Sequence, residues 1–237
     1  MDNKTMLALR LEGPLQAWGE NAKWDYRDSA SMPTKSGIVG LIGCAMGLER
    51  GNKKLCELND AITIAVRADR PGTRTEDFQS ITGNPLMTAN GTPRQGGNTI
   101  TTKKVYLQDA CFTVFVETTP EWHKVIAKAL QSPKWCLSLG RRNCIPSRPV
   151  LECVDLGYPT LMDAVYNYPA AERSQYPMVY ETERLEENKV AILRSDVLAE
   201  ANREFAMRQV WHGIIDTPTS KEELEETKER AEGNVSD

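Results

Sequence analysis

Apolar and polar positions alternate from Thr5 to Leu11 (TMLALRL), a period of two that predicts a first β-strand ending at Gly13-Pro14. Residues 15–32 form a polar connection that contains Trp18, Trp24 and Tyr26. The pattern then changes, and Pro33 to Arg50 (PTKSGIVGLIGCAMGLER) predicts a helix, with Pro33 suited to its start. Gly37, Gly40, Gly43 and Gly47 recur at spacings of three and four, so they share one face of it. Each glycine weakens a helix by roughly 1 kcal/mol relative to alanine, which predicts very close packing of that face. Ala61 to Arg67 (AITIAVR) alternates again as a second strand.

Asp69 to Thr102 breaks the pattern. It is rich in Gly, Thr, Asn and Pro and carries Arg70, Arg74 and Arg94. A structureless loop of this length is unusual in a compact domain, so an inserted hairpin is expected. Strand character returns from Val105 to Glu117, with Phe112, Val114 and Val116 on one face. Pro120 to Gln131 predicts a second helix whose apolar stripe holds Trp122, Val125, Ile126, Ala129 and Leu130, with Lys124 and Lys128 outward. A strand near Trp135 to Leu139 would complete a β-α-β-β-α-β, ferredoxin-like (RNA-recognition-like) unit. The expected class is therefore α+β. A ferredoxin-like domain spans residues 1–138 with a hairpin inserted at 69–102, a smaller β-rich part follows over 139–219, and residues 220–237 form an acidic tail.

Composition narrows the function classes. With 237 residues, 40% of them hydrophobic, the chain has enough material for a packed interior. No apolar run approaches the roughly 20 residues needed to cross a bilayer. Met1 to Arg10 is charged at Asp2, Lys4 and Arg10 and lacks the apolar stretch of a secretory signal, so a cytoplasmic location is expected. Cys44, Cys56, Cys111, Cys136, Cys144 and Cys153 show no zinc or redox spacing and are expected to be reduced and mostly buried. The net charge is −4, but of 33 acids and 29 bases, seven and three fall in residues 220–237, leaving 26 of each in the body. A neutral body is compatible with a basic groove.

Tests for catalysis come out empty. His123 and His212 are the only histidines, and neither has Cys, Asp or Glu at metal-ligand spacing. Both are expected at the surface or in packing, His123 on the polar side of its helix. The Gly37-x-x-Gly40-x-x-Gly43 run lies inside a helix, whereas a phosphate cradle places its glycines before one. No catalytic centre, metal or cofactor is expected.

Three segments point to RNA. In Leu139-Gly140-Arg141-Arg142-Asn143-Cys144 the glycine permits close backbone approach and the arginines reach phosphates; spacing alone fits a solvated turn equally well. Lys35 and Ser36 add donors at a helix N-terminus, which is also the pattern of an ordinary cap. Arg94, Lys103 and Lys104 could track a nucleic-acid backbone from the insertion.

Together these residues resemble a known family. Leu9 to Gly19 (LRLEGPLQAWG), Pro33 to Gly43 (PTKSGIVGLIG) and Leu139 to Cys144 (LGRRNC) are similar, in order, to motif blocks of the CasD family, the small subunit of type I-E CRISPR Cascade. The resemblance implies a ferredoxin-like domain with a protruding thumb hairpin, which falls at Asp69 to Thr102. It implies a grip on the 5′ handle of CRISPR RNA and a cap on the backbone filament. Contacts to the backbone and large subunits, and through them indirectly to target DNA, would follow. It adds Arg10, Gln16, Trp18 and Asn143 to Lys35, Ser36, Arg94, Lys103, Lys104, Arg141 and Arg142 as RNA-binding candidates.

The rival reading is a metal-independent endoribonuclease, as in a related type I-C subunit, for which Tyr26, Lys103, Lys104 and Tyr106 could supply parts. No histidine lies near those lysines in sequence, and the motif blocks favour the type I-E pattern. Residues 221–232 could form a charged helix with pairs such as Glu226–Arg230, or a solvated tail.

Overall fold

A computed structural model describes residues 4–20, 23, 25–186, 189–200 and 204–216; Trp24 and the acidic tail lie outside them. In chain order the elements are β1 (Thr5–Glu12), β2 (Leu15–Gln16), β3 (Tyr26–Arg27), α1 (Lys35–Met46), α2 (Lys54–Ala61) and β4 (Thr63–Arg70). They continue with β5 (Thr73–Thr82), β6 (Thr99–Gln108), β7 (Cys111–Thr118), α3 (Pro120–Gln131) and β8 (Leu151–Cys153). The chain closes with α4 (Leu161–Asn167), β9 (Met178–Thr182), β10 (Ala191–Glu200) and β11 (Glu204–Ile215). Among the described residues, no helix is long and apolar enough to cross a membrane.

The main sheet is antiparallel and has the order β10-β11-β9-β4-β7-β1-β8. Strand alternation sends Leu7, Leu9 and Leu11 of β1 to one face, where they meet Ile38 and Ile42 of α1 and Ile126 and Leu130 of α3. The even positions Met6 and Ala8 face the other way, onto Leu161 and Val165 of α4. β1 is thus buried on both sides rather than half-exposed. Fully burying one such aliphatic side chain contributes about 1.5–3 kcal/mol, so these two faces hold the fold together.

A buried polar cluster crosses the α4 side. Arg10 and Arg67 both pair with Asp69, whose side chain is fully buried. Arg67 also donates to the carbonyls of Val165, Tyr168 and Pro169, clamping the end of α4 to the sheet.

The structure corrects several expectations. Val105–Glu117 is two strands, because Asp109 takes φ 58° and sends β6 into a second, smaller sheet with β2, β3 and β5. The insertion is a hairpin, β5 against β6 from Thr73↔Gln108 to Thr82↔Thr99, but Asp69 and Arg70 belong to β4 and are buried. Trp135 to Leu139 forms no strand; its backbone is tied to α1, where Lys134 N–H donates to Ala45 O (2.9 Å), and β8 supplies the edge instead. β9 pairs with β4, so the β-rich later part extends the main sheet. On α3, Val125 is exposed and His123 is buried, its Nε2 2.7 Å from Val154 O. Two short helices, α2 and α4, escaped the periodicity. Only two of the cysteines, Cys111 and Cys144, are buried.

Candidate nucleic-acid interface

Three stretches distant in sequence, 9–19, 33–43 and 139–144, meet around Trp18, which is 1% exposed. Its indole N–H donates to Gln16 Oε1 (3.1 Å), and the Gln16 amide donates to the carbonyls of Leu11 and Ala110 (2.9 Å each). Gly37 packs on the ring so tightly that a Cβ there would lie 2.8 Å from Trp18 Cε3. Ala17 N–H donates to Leu139 O (3.1 Å), and Gly140 closes against the Ala17 carbonyl at φ 89°.

Beside this junction runs a groove of about 720 Å³, lined among others by Gly37, Gly40, Gly140, Arg142, Trp135 and Phe205. The close packing expected of the glycine face holds at Gly37, at Gly43 against Leu55 and at Gly47 against Lys134. Gly40 departs from it. It is exposed to the groove, and among the described residues nothing beyond its own stretch of helix backbone lies within 4 Å of where its Cβ would stand. A mid-helix glycine with nothing packed on it gives up helix stability without a return from the described residues.

The candidate side chains divide into those committed to the fold and those that remain accessible. Arg10 is 3% exposed and held by Asp69 and Thr113, and Gln16 and Trp18 are sealed in the junction. The expectation that these three side chains touch RNA directly is corrected by their burial: Trp18, braced by Gln16, supports the groove from beneath, and Arg10 lies in the polar cluster on the α4 side of the sheet. Lys35 is also buried, pairing with Glu183 (2.9 Å) and donating to Ile62 O (3.0 Å). The start of α1 already has its anion, since Lys35 N–H donates to Asp196 of β10 (2.8 Å). Burial pushes the Asp196 carboxyl up, but the Arg208 guanidinium and this N–H outweigh it and hold the group below the usual carboxylate range. Burial dominates at Glu183 and raises it, despite Lys35 and Arg208. The phosphate site expected at Lys35 is therefore filled by the protein's own carboxylates. Ser36 is half-buried and lines the groove.

Arg141 and Arg142, adjacent in sequence, have opposite fates. Arg141 donates to the carbonyls of Val105 (2.8 Å), Arg27 (2.8 Å) and Asp28 (2.9 Å) and stacks 4.7 Å over the Tyr106 ring. Asn143 donates to the Tyr106 hydroxyl (3.0 Å). Both pin the loop, while Arg142 is exposed to the groove. On the hairpin, Lys103 pairs with Glu76 (3.0 Å), Lys104 donates to Gln79, and Arg94 donates to Thr99 O (3.2 Å). These lie on the hairpin rather than among the residues lining the groove. Sequence reasoning missed Trp135, 45% exposed, and Phe205, 46% exposed. Sequence patterning puts Trp135 in a strand, and no local pattern brings Phe205 to α1.

Burial pushes the Cys111 thiol up to about 11 and also raises Cys44 and Cys144, so these three thiols are not primed for chemistry. Among the described residues, no group of three or more His, Cys, Asp or Glu is placed to hold a metal ion.

Comparison with known proteins agrees with the motif blocks. The model of a family described as CRISPR-associated protein (Cas_Cas5) matches residues 6–228. The chain is 33% identical over 159 residues to the CRISPR system Cascade subunit CasD of Escherichia coli (strain K12), covering 62% of this chain and 70% of that one. A chain of a solved CRISPR RNA-guided surveillance complex superposes with a TM-score of 0.74 at 29% identity, covering 90% of this chain and 91% of that chain. A solved Cas protein superposes with a TM-score of 0.67 at 28% identity, covering 89% and 95%.

Proposed function

The chain belongs to the CRISPR-associated Cas5 family, and we propose that it is the crRNA-binding subunit of a type I-E Cascade complex that grips the 5′ handle and caps the backbone filament. The observation that carries this reading is the groove itself. Three motif blocks converge on it, Gly40 leaves helix backbone open to a close approach, and Arg142 adds a free-standing positive charge. A single-stranded RNA end needs such a site: room for the sugar-phosphate chain and guanidinium groups for its phosphates. The β5–β6 hairpin is the thumb in this reading, held at its base by Val105, Tyr106 and Leu107, all buried. The order β1-α1-β4-β7-α3-β8, with those strands lying β8-β1-β7-β4 in the sheet, supports a ferredoxin-like core.

The subunit binds without cutting in this proposal. Three of the four groups that could have formed a metal-independent ribonuclease site are engaged elsewhere: Lys103 with Glu76, Lys104 with Gln79, and the buried Tyr106 with Asn143 and Arg141. Purified protein mixed with single-stranded repeat RNA in EDTA should retain the RNA intact. Specific cleavage there would overturn the non-catalytic reading.

Gly40→Ala provides the test of the groove. Alanine is the better helix former and meets nothing within 4 Å, so the variant should gain about 0.5–1 kcal/mol of stability. The added methyl occupies the approach path, so handle RNA should bind roughly tenfold more weakly. A thermal melt and an equilibrium titration read the two effects separately. Higher stability with unchanged RNA affinity would remove the groove from the interface.

A further inference from the structure

We propose that Trp135 is a base-stacking platform of this groove, so that the RNA held there has a base unstacked onto the indole; this rests on the RNA-binding reading above. The indole is 45% exposed and lines the same groove as Gly40 and Arg142. Its carrier is fixed on both sides. Lys134 N–H donates to Ala45 O of α1 (2.9 Å), and the Cys44 thiol donates to Cys136 O (3.5 Å). Trp135 therefore sits on a segment tied to the helix that presents Gly40, with an exposed ring and a braced backbone. Arg142 and Cys44 line this groove together with Trp135.

A large exposed aromatic ring on an immobilised backbone binds with little ordering cost. With an arginine alongside, a bare stretch of helix backbone and no deep apolar pocket, the chemistry matches a single-stranded nucleotide. The ring takes the base face and the guanidinium takes the phosphate. Stacking is tolerant of base identity, so Trp135 adds affinity and register, while sequence reading falls to other contacts.

The test uses the full chain and two labelled probes of equal length, a single-stranded oligonucleotide from the CRISPR repeat and oligouridine. Trp135→Ala should weaken binding of the repeat probe roughly 5- to 150-fold, the range that loss of one stacked base corresponds to. Trp135→Phe should restore most of that affinity while abolishing the part of the tryptophan fluorescence quenching that titrates with RNA. Oligouridine should lose affinity by a similar factor. Because the ring is exposed, melting of the alanine variant should match the parent.

Affinity within twofold of the parent for Trp135→Ala, with the parent binding normally, would overturn the stacking role alone. Failure of the parent to bind either probe would overturn the RNA-binding reading and this inference with it. Unchanged RNA affinity together with weaker recovery of the other complex subunits would assign the indole to a protein partner.

Discussion

Asp69→Ala should destabilise the protein strongly. The carboxylate is fully buried and accepts from Arg10, from Arg67 Nε (2.6 Å), from the Thr113 hydroxyl (2.8 Å) and from the Ala171 N–H (2.8 Å). Its removal strands two guanidinium groups whose side chains are 3% and 1% exposed. Breaking a buried pair in this way costs about 3–5 kcal/mol, because the remaining charge has neither water nor a counterion. Against a total stability of about 5–15 kcal/mol for a domain, that is a large fraction. The melting temperature should fall by roughly 6–20 °C at the usual scaling for a chain of this size. Arg10 has one fallback partner, Glu152 at 3.5 Å, but among the described residues the other acceptors of Arg67 are backbone carbonyls rather than a second carboxylate. A loss below 1 kcal/mol by chemical denaturation would mean that water reaches both arginines. The measurement matters for function because β4, which carries Asp69, leads directly into the hairpin.

How much of this was legible follows from which forces are local. β1, α1, β4 and α3 were readable because each carries its own period and three carry a boundary signal: Gly13-Pro14 after β1, Gly47 in the left-handed conformation after α1, and Pro120 in the first turn of α3. The hairpin was readable as an insertion by its composition. The fates of individual polar residues were not. Arg10 and Lys35 look like surface cations in sequence, and only the fold brings Asp69 and Glu183 to them across 59 and 148 positions. Arg141 and Arg142 are indistinguishable as letters, yet one is fixed by three carbonyls and the other is left free for the groove. His123 falls on the stripe that α3 buries because Val154 O, from the connection after β8, meets its ring. The motif blocks converge on the candidate groove, whereas the side chains lining it depend on long-range packing.

Gly140→Ala, one residue before that arginine pair, should destabilise the protein and disable the groove together. Gly140 has φ 89°, a conformation that costs an L-residue about 1–2 kcal/mol. The added Cβ would overlap the carbonyl oxygen of Ala17, and the obstacle is backbone rather than a side chain that can turn away. Ala17 has little freedom to yield. Its N–H bonds Leu139 O (3.1 Å), and its neighbour Trp18 is fixed by Ser29 Oγ on the main-chain N–H (2.9 Å) and by Gly37 against the ring. Overpacking of this kind adds about 1–3 kcal/mol, for a total near 2–5 kcal/mol and a melting temperature lower by roughly 4–20 °C. Any strain that is relieved moves Trp18 or the Arg141–Arg142 loop, so RNA binding should fall even in the fraction that stays folded. A variant that melts like the parent would show that the loop shifts freely, which is incompatible with its role as a rigid wall. The comparison with Gly40→Ala is the sharper test. Gly140 is glycine because the folded chain leaves no room, and its replacement should lower both stability and binding. Gly40 is glycine although the chain leaves room, and its replacement should raise stability while lowering binding. A partner in the groove accounts for the second pattern.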